Sequence, residues 1–459
     1  MSNITFFKDN FLGINPIEFK NLKLSFIGEI YNHKELNDIL NENSPYDYYL
    51  KGELLLKLID YFQERFNNFL IAIENVISLL NGDFAFSVTD GENLAISRDY
   101  LGSIILFYGL VNDENGVKEY IFSQNRKDIW KLGIEEETLK PGTIFYNGKI
   151  MPIENPIWNF TDENVLNNID NTNNYIDNIN NTNNNFYKEN LKKLLFDGVL
   201  RRIEGVKHVG LIFSGGVDST IIAKILKNLS NIHDFKLTLY TIGTKNSQDL
   251  EFSKKVANDL NLDLKYQIID EIAIKNDLED VLITMEKANI VKIGVGLAIH
   301  FATKLAQNDG VHVVLTGQGA DELFGGYHRN LEIFKEGYDN LSKAIRFDIE
   351  NMHHVNLERD VAIATNNNVQ LRSPFLDKNF IEFALNVPGE YKVKSSDDNL
   401  RKHILREIAI DLDIPEYVVY RPKKAAQYGS GIHKLLSKKI IPIFNWKRFL
   451  DDFKKNQLN

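Results

Sequence analysis

Residues 208–226 read HVGLIFSGGVDSTIIAKIL, and few other stretches of the 459-residue chain restrict its fold so tightly. An apolar run ends in Ser214-Gly215-Gly216 and a helical pattern starts at about Val217, so the chain passes from strand to helix through a two-glycine turn. In a parallel α/β sheet, ligands bind beyond the carboxyl ends of the strands. The glycines permit a tight turn and close approach of the backbone to a ligand. The helix start offers free N–H groups and the positive end of the dipole, which favour phosphate. Ser214 and Ser219 add hydroxyls. Asp218 places negative charge beside the expected phosphate, a conflict that a bridging magnesium ion removes. No Gly-Lys-Ser/Thr follows, so this is not a Walker A loop. With no ligand in mind, the same residues are a glycine-rich turn with a polar cap.

A second strand pattern opens residues 313–327, VVLTGQGADELFGGY. It delivers Thr316 and Gly317, then Gln318-Gly319-Ala320, then Asp321 and Glu322. Two such loops at neighbouring strand ends converge on one cleft, where Asp218 and Asp321 would supply two carboxylates to Mg²⁺. The alternative is that Asp321 and Glu322 serve only to favour a helix start.

Around these loops the chain shows three zones. Residues 1–155 carry short strand patterns (Leu22–Ile27, Phe84–Val88, Leu94–Ile96, Ile104–Tyr108) and one helical pattern, Glu53–Phe66, which predicts an α+β domain with antiparallel sheet. Residues 156–187 are rich in Asn, Asp and Thr and read as a linker. From 188 to 459 helices alternate with the strand patterns His208–Phe213, Lys236–Ile242, Leu264–Ile269 and Val311–Leu315. This predicts an α/β parallel sheet followed by a mostly helical part. The formal net charge of −10 gives no bulk footprint of a nucleic-acid binder. The absence of cysteine rules out disulfides, thiolate zinc sites and cysteine nucleophiles within these residues. No apolar run is expected to span a membrane and no secretory signal is read at Met1–Asn10, so a cytoplasmic protein is expected.

Ser214–Ser219 resembles the SGGxDS pyrophosphate loop of the ATP-pyrophosphatase superfamily (adenine nucleotide alpha hydrolase-like fold). Together with Leu315–Tyr327 it is similar to the paired signatures of the asparagine synthetase family, whose second pattern is LSGEGADELFGGY. Thr241-Ile242-Gly243, Ser247–Leu250 (SQDL), Arg372–Asp377 (RSPFLD), Lys402–Glu407 (KHILRE) and Arg421-Pro422-Lys423 resemble further family segments, in family order across residues 188–433. The resemblance implies that ATP and a carboxylate form an acyl-adenylate with release of pyrophosphate, and that an amine then displaces AMP. It implies that Phe213, Ile242, Thr316 and Gly317 lie around the adenosine. Ser214, Gly215, Gly216, Asp218 and Ser219 would meet the phosphates, Asp218 and Asp321 would hold Mg²⁺, and Asp321 and Lys423 would serve catalysis. The expected substrates are aspartate and ammonia, with no nucleic acid or membrane partner; a homodimer is left open. Other expectations compatible with the residues are another acyl-adenylating ligase and a nucleotide-binding regulator without catalysis.

Two positions depart from the pattern. Gln318 stands where the family usually has Glu, and Gln370 where the related β-lactam synthetases have the Glu of a Tyr–Glu dyad. A neutral amide is no general base, which argues against β-lactam-type ring closure. The N-terminal zone resembles class II glutamine amidotransferases through FIGEIYNHKEL (Phe26–Leu36) and the GDFAF and SRDYLGS segments of Leu80–Tyr108, implying an Ntn-type sandwich. Its chemistry departs from that family: Ser2 replaces the nucleophilic Cys, Ile27 the oxyanion-hole Asn, and about Lys51 the Asp that holds the glutamine amine. A degenerate, inactive glutaminase-like domain is expected. The segment Lys287–His300 follows a helical pattern at the point where substrate contacts are expected, while Gly294 and Gly296 would equally suit a plain loop; neither it nor His403 or Arg406 is given a role.

Overall fold

The computed structural model describes residues 15–40, 51–112, 118–153, 184–422 and 429–458. They fall into two compact units, one drawn from Met1–Asn159, His353–Glu358 and Lys447–Asn459, the other from Phe160–Met352 and Arg359–Trp446.

The first unit contains β1 (Ile17–Phe19), β2 (Leu22–Ile30), β3 (Gly82–Thr89), β4 (Leu94–Arg98), β5 (Phe107–Asn112), β6 (Lys118–Ser123), β7 (Glu137–Thr138), β8 (Thr143–Tyr146) and β9 (Lys149–Pro152). They form a six-stranded sheet ordered β1-β2-β3-β4-β8-β9 and a three-stranded sheet ordered β6-β5-β7, and every pairing is antiparallel. The period-two alternation of β3 sets the layers. Phe84, Phe86 and Val88 pack with the helices Lys51–Phe66 and Phe69–Leu79 on one face. On the other face Ala85, Ile96 and Phe145 meet Leu106, Phe122 and Leu139 in and beside the smaller sheet. This is the expected α+β arrangement. The strand expected at Ile104–Tyr108 begins later, at Phe107. The buried Asp99 carboxylate accepts the N–H groups of Leu101, Ser103 and Ile104 at 2.8–3.1 Å, which holds 101–104 in a turn. The helix Phe69–Leu79, capped by Asn68, was not anticipated. Its run FLIAIENVISL is so apolar that a helical stripe does not stand out.

In the second unit β10 (His208–Ile212), β11 (Lys236–Gly243), β12 (Leu264–Ile268), β13 (Val313–Leu315) and β14 (Gln370–Arg372) form one parallel sheet in the order β12-β11-β10-β13-β14. The order runs outward from β10 to β12 and then reverses to β13, so the switch point lies between β10 and β13. A crevice for ligands belongs there. A 20-residue helix, Asn184–Ile203, leads into the sheet and starts inside the expected linker; residues 154–183 of that zone lie outside the described residues. Gly294 and Gly296 sit within the helix Ile290–Asn308, not in a loop. A Cβ on Gly296 would stand 2.8 Å from Met285 Sδ and 3.0 Å from Ile363 Cδ1, so the missing side chain makes room for neighbouring core. The same helix corrects the expectation about apolar runs. Among the described residues it is long and apolar enough to cross a membrane by length and composition, and half of it is buried inside the protein. Asp377, at the end of the RSPFLD segment, is fully buried. It pairs with Arg202 at 2.8 Å and caps the helix Lys378–Asn386 by accepting the N–H of Asn379.

Candidate functional site

The apolar residues of β10 carry the chain into the buried Phe213, whose N–H donates to Tyr240 O at 2.8 Å. Ser214, Gly215 and Gly216 then turn it into the helix Val217–Ser230. Gly215 has φ +68°, a conformation that favours glycine, and Gly216 is the N-cap. The Ser219 hydroxyl donates to Gly216 O at 3.2 Å, closing the loop on itself. Asp218 sits in the first turn, where the dipole favours a carboxylate.

The neighbouring strand β13 delivers Thr316, whose N–H donates to Arg372 O at 3.0 Å. Gly317 follows, and a Cβ there would stand 3.2 Å from Asp218 Cβ, so the two loops touch. Gly319, at φ +98°, starts the short helix Ala320–Leu323 that carries Asp321. Phe213, Ile242 and Thr316 thus lie at the tips of three adjacent strands, β10, β11 and β13.

The two expected metal carboxylates are brought together by a residue to which sequence reasoning gave no role. Lys402 Nζ lies 2.6 Å from Asp218 Oδ2 and 2.5 Å from Asp321 Oδ1, and the lysine side chain is 0% exposed. Lys402 and its neighbour Arg401 have φ of +54° and +53°. Consecutive non-glycine residues in this region cost on the order of 1–2 kcal/mol each, so the surroundings must hold them. Asp398 does so from one side, accepting the N–H groups of Leu400 and Arg401 at 3.0 and 2.9 Å and that of Lys394 at 3.1 Å. His403, left unassigned above, bonds Asp398 at 2.7 Å. Arg406, also unassigned, is buried and donates to the carbonyls of Leu400, Arg401, Val419 and Arg421. Gly326 leaves the remaining room: a Cβ there would collide with the Asp321 carboxylate and with Lys402 Cε.

The donor set suits a hard cation. Two carboxylates converge, and Asp218 Oδ1 is buried with no hydrogen-bond partner among the described residues. No group of three or more His, Asp or Glu that could hold a metal is found among the described residues, so an ion here would draw its other ligands from phosphate and water. Glu322, buried behind Asp321, accepts hydrogen bonds from the Tyr327 hydroxyl and, at 3.4 Å, from Gln318 Nε2. Burial, helped by the Asp321 charge, pushes its carboxyl up to about 7. Gln370 is engaged on the far side of β13, where its Oε1 accepts from Arg372 at 2.7 Å. Arg421 stacks on Phe252 at 3.8 Å, pairs with Asp249 at 2.7 Å and reaches Ser214 O at 3.4 Å, so the segment before Lys423 is tied to the glycine turn. Lys423 itself lies outside the described residues, as does Ser2. A cavity of about 960 Å³ opens beside Asp321, Gly326 and Arg401, but the Ser214–Ser219 turn does not line it.

Residues 190–337 and 333–446 match the Asparagine synthase family, and residues 7–129 match the Glutamine amidotransferase domain. A Methanocaldococcus jannaschii protein provisionally named asparagine synthetase (glutamine-hydrolyzing) 1 is 34% identical, over 93% of this chain and 81% of that protein. The chain belongs to the asparagine synthetase family. It is an enzyme, a carbon–nitrogen ligase that uses ATP to make an amide. The asparagine synthetases (glutamine-hydrolyzing) of Rattus norvegicus and Homo sapiens are each 26% identical, across 98% of this chain and 79% of theirs. Among solved structures, an NMN synthetase from Francisella tularensis overlaps 60% of this chain and 94% of its own at a TM-score of 0.30 and 13% identity, a likeness too loose to argue from.

Proposed function

We propose that this family member makes asparagine from aspartate and ammonia, releasing AMP and pyrophosphate. An aspartate carboxylate oxygen attacks the α-phosphorus of ATP, and the bond to pyrophosphate breaks. The nitrogen of ammonia then attacks the activated carbonyl, the carbon–oxygen bond to AMP breaks, and the nitrogen loses a proton. In this reading Phe213, Ile242, Thr316 and Gly317 contact the adenosine at three adjacent strand tips. Ser214, Gly215, Gly216 and Ser219 offer the phosphates N–H and hydroxyl donors at a helix start. Asp218 and Asp321 hold Mg²⁺, which supplies charge neutralisation on the leaving pyrophosphate. Lys423 places a further positive charge on the phosphates and on the oxyanion of the second step. The shared hold of Lys402 on Asp218 and Asp321 carries this reading, because it joins the two loops at the switch point.

Ammonia is favoured over glutamine by the N-terminal unit, which we assign to residues 1–155 as an Ntn-type fold without glutaminase chemistry; residues 156–187 would link it to the synthetase domain, 188–459. The 459 residues contain no cysteine. The acid with which the family binds the glutamine amine maps to about Lys51, which pairs here with Glu29. A lysine ammonium has no acceptor to offer the ammonium of an amino acid. Gln318 supplies no base, so the amine is expected to arrive neutral or to give its proton to water or phosphate. The test supplies aspartate, ATP and MgCl₂ with either ammonium chloride or glutamine. We expect asparagine and AMP in equal amounts with ammonium, and with glutamine at least about 100-fold less, without glutamate release. Glutamate formed in step with asparagine would overturn the assignment of the nitrogen donor.

A further inference from the structure

Two carboxylates on separate loops repel each other. One ammonium lies between them. Lys402 reaches Asp218 and Asp321 at 2.6 and 2.5 Å from a side chain fully out of solvent. The backbone that presents it is left-handed at two successive non-glycine residues and is fixed by Asp398 and Arg406 from two sides. Gly326, in the loop after Asp321, is the residue whose missing side chain leaves space for Lys402 Cε. Strain held by so many partners points to a function rather than to a packing accident.

We propose that Lys402 is the positioning residue of the two-aspartate site: its ammonium preassembles the carboxylates and keeps bare divalent cation out until a nucleotide brings one in. This rests on the reading that Asp218 and Asp321 are the metal ligands. A divalent ion seated between Asp218 Oδ2 and Asp321 Oδ1 displaces the ammonium. Free hydrated magnesium gives up water reluctantly and leaves the displaced ammonium buried without a partner, which is costly. A metal–nucleotide complex brings phosphate oxygens, and these give the ammonium a new acceptor. The lysine thus couples metal binding to nucleotide binding.

The test is thermal melting of the full chain with MgCl₂ alone, backed by calorimetric titration with a non-hydrolysable ATP analogue. Wild type is expected to show no shift with MgCl₂ alone. Lys402→Met should melt about 5–10 °C lower, regain that loss on adding MgCl₂, and bind Mg²⁺ without nucleotide at least about tenfold more tightly than wild type. Lys402→Arg, which keeps the charge, should exclude the metal as wild type does. The proposal is overturned if wild type responds to MgCl₂ at the same concentration as Lys402→Met, or if Lys402→Met neither melts lower nor responds. If Lys402→Met does not fold, Asp321→Asn and the charge-balanced Lys402→Met/Asp321→Asn close a double-mutant cycle. Melting of the double variant within about 2 °C of Asp321→Asn supports the proposal. A further loss as large as the one expected of Lys402→Met alone overturns it. A wild type that fails to bind the analogue with MgCl₂ defeats the nucleotide reading itself, a result separate from metal exclusion.

Discussion

Asp218→Asn is expected to lower AMP formation roughly 10³-fold while the protein still folds, because under the proposed function it takes a charged ligand from the metal, and it also takes one of the two carboxylate partners from Lys402. The amide keeps the shape of the carboxylate and its place in the first helical turn. Lys402 retains Asp321, so its charge is not stranded. The loss should fall on turnover and on the Mg²⁺ requirement rather than on expression. Initial rates at saturating aspartate and ammonia, taken across a magnesium series, make the comparison. A variant that forms AMP within about threefold of wild type would remove Asp218 from the chemistry.

Arg406→Leu should have the largest effect on stability. The guanidinium donates to the carbonyls of Leu400, Arg401, Val419 and Arg421, all around a side chain in the interior. Leucine offers none of these donors, and stranded buried carbonyls cost about 1–3 kcal/mol each. Partial relaxation brings the expected loss to about 3–5 kcal/mol, measured by denaturant unfolding of the synthetase unit. Turnover should fall as well, since the same contacts hold the left-handed pair Arg401-Lys402. A loss below about 1 kcal/mol would mean that water satisfies the loop and that Arg406 is dispensable.

The strand-to-helix turn was readable because its chemistry is contiguous. Six residues, Ser214–Ser219, carry the glycines, the hydroxyls and the carboxylate, and an apolar strand marks their place. That Asp321 comes close to Asp218 was readable for the same reason. The parallel sheet followed from alternation, although β14 is three residues long and leaves no periodic trace. Lys402 was not readable as the partner of Asp218 because 184 residues separate them, and no local pattern marks a lysine as buried. Left-handed backbone at Arg401 and Lys402 gives no signal either, since neither residue type favours it. Arg406 lies on the helix His403–Asp411, whose stripe of Ile404, Leu405 and Ile408 fixes its inner face; the arginine joins that face because carbonyls wait there. Glycine misled at Gly294 and Gly296, which both lie within a helix; at Gly296 close packing and not a turn calls for it.

Transfer of oxygen from aspartate to AMP tests the central claim most directly. With aspartate labelled by ¹⁸O in its carboxylates, attack on the α-phosphorus makes one labelled oxygen the bridge. Cleavage of the carbon–oxygen bond by ammonia then leaves that oxygen on the phosphate. Mass spectrometry of the products should find one ¹⁸O in each AMP and one fewer in asparagine than in the starting aspartate. Asparagine formed alongside unlabelled AMP, or alongside ADP and phosphate, would contradict an acyl-adenylate made at these strand tips.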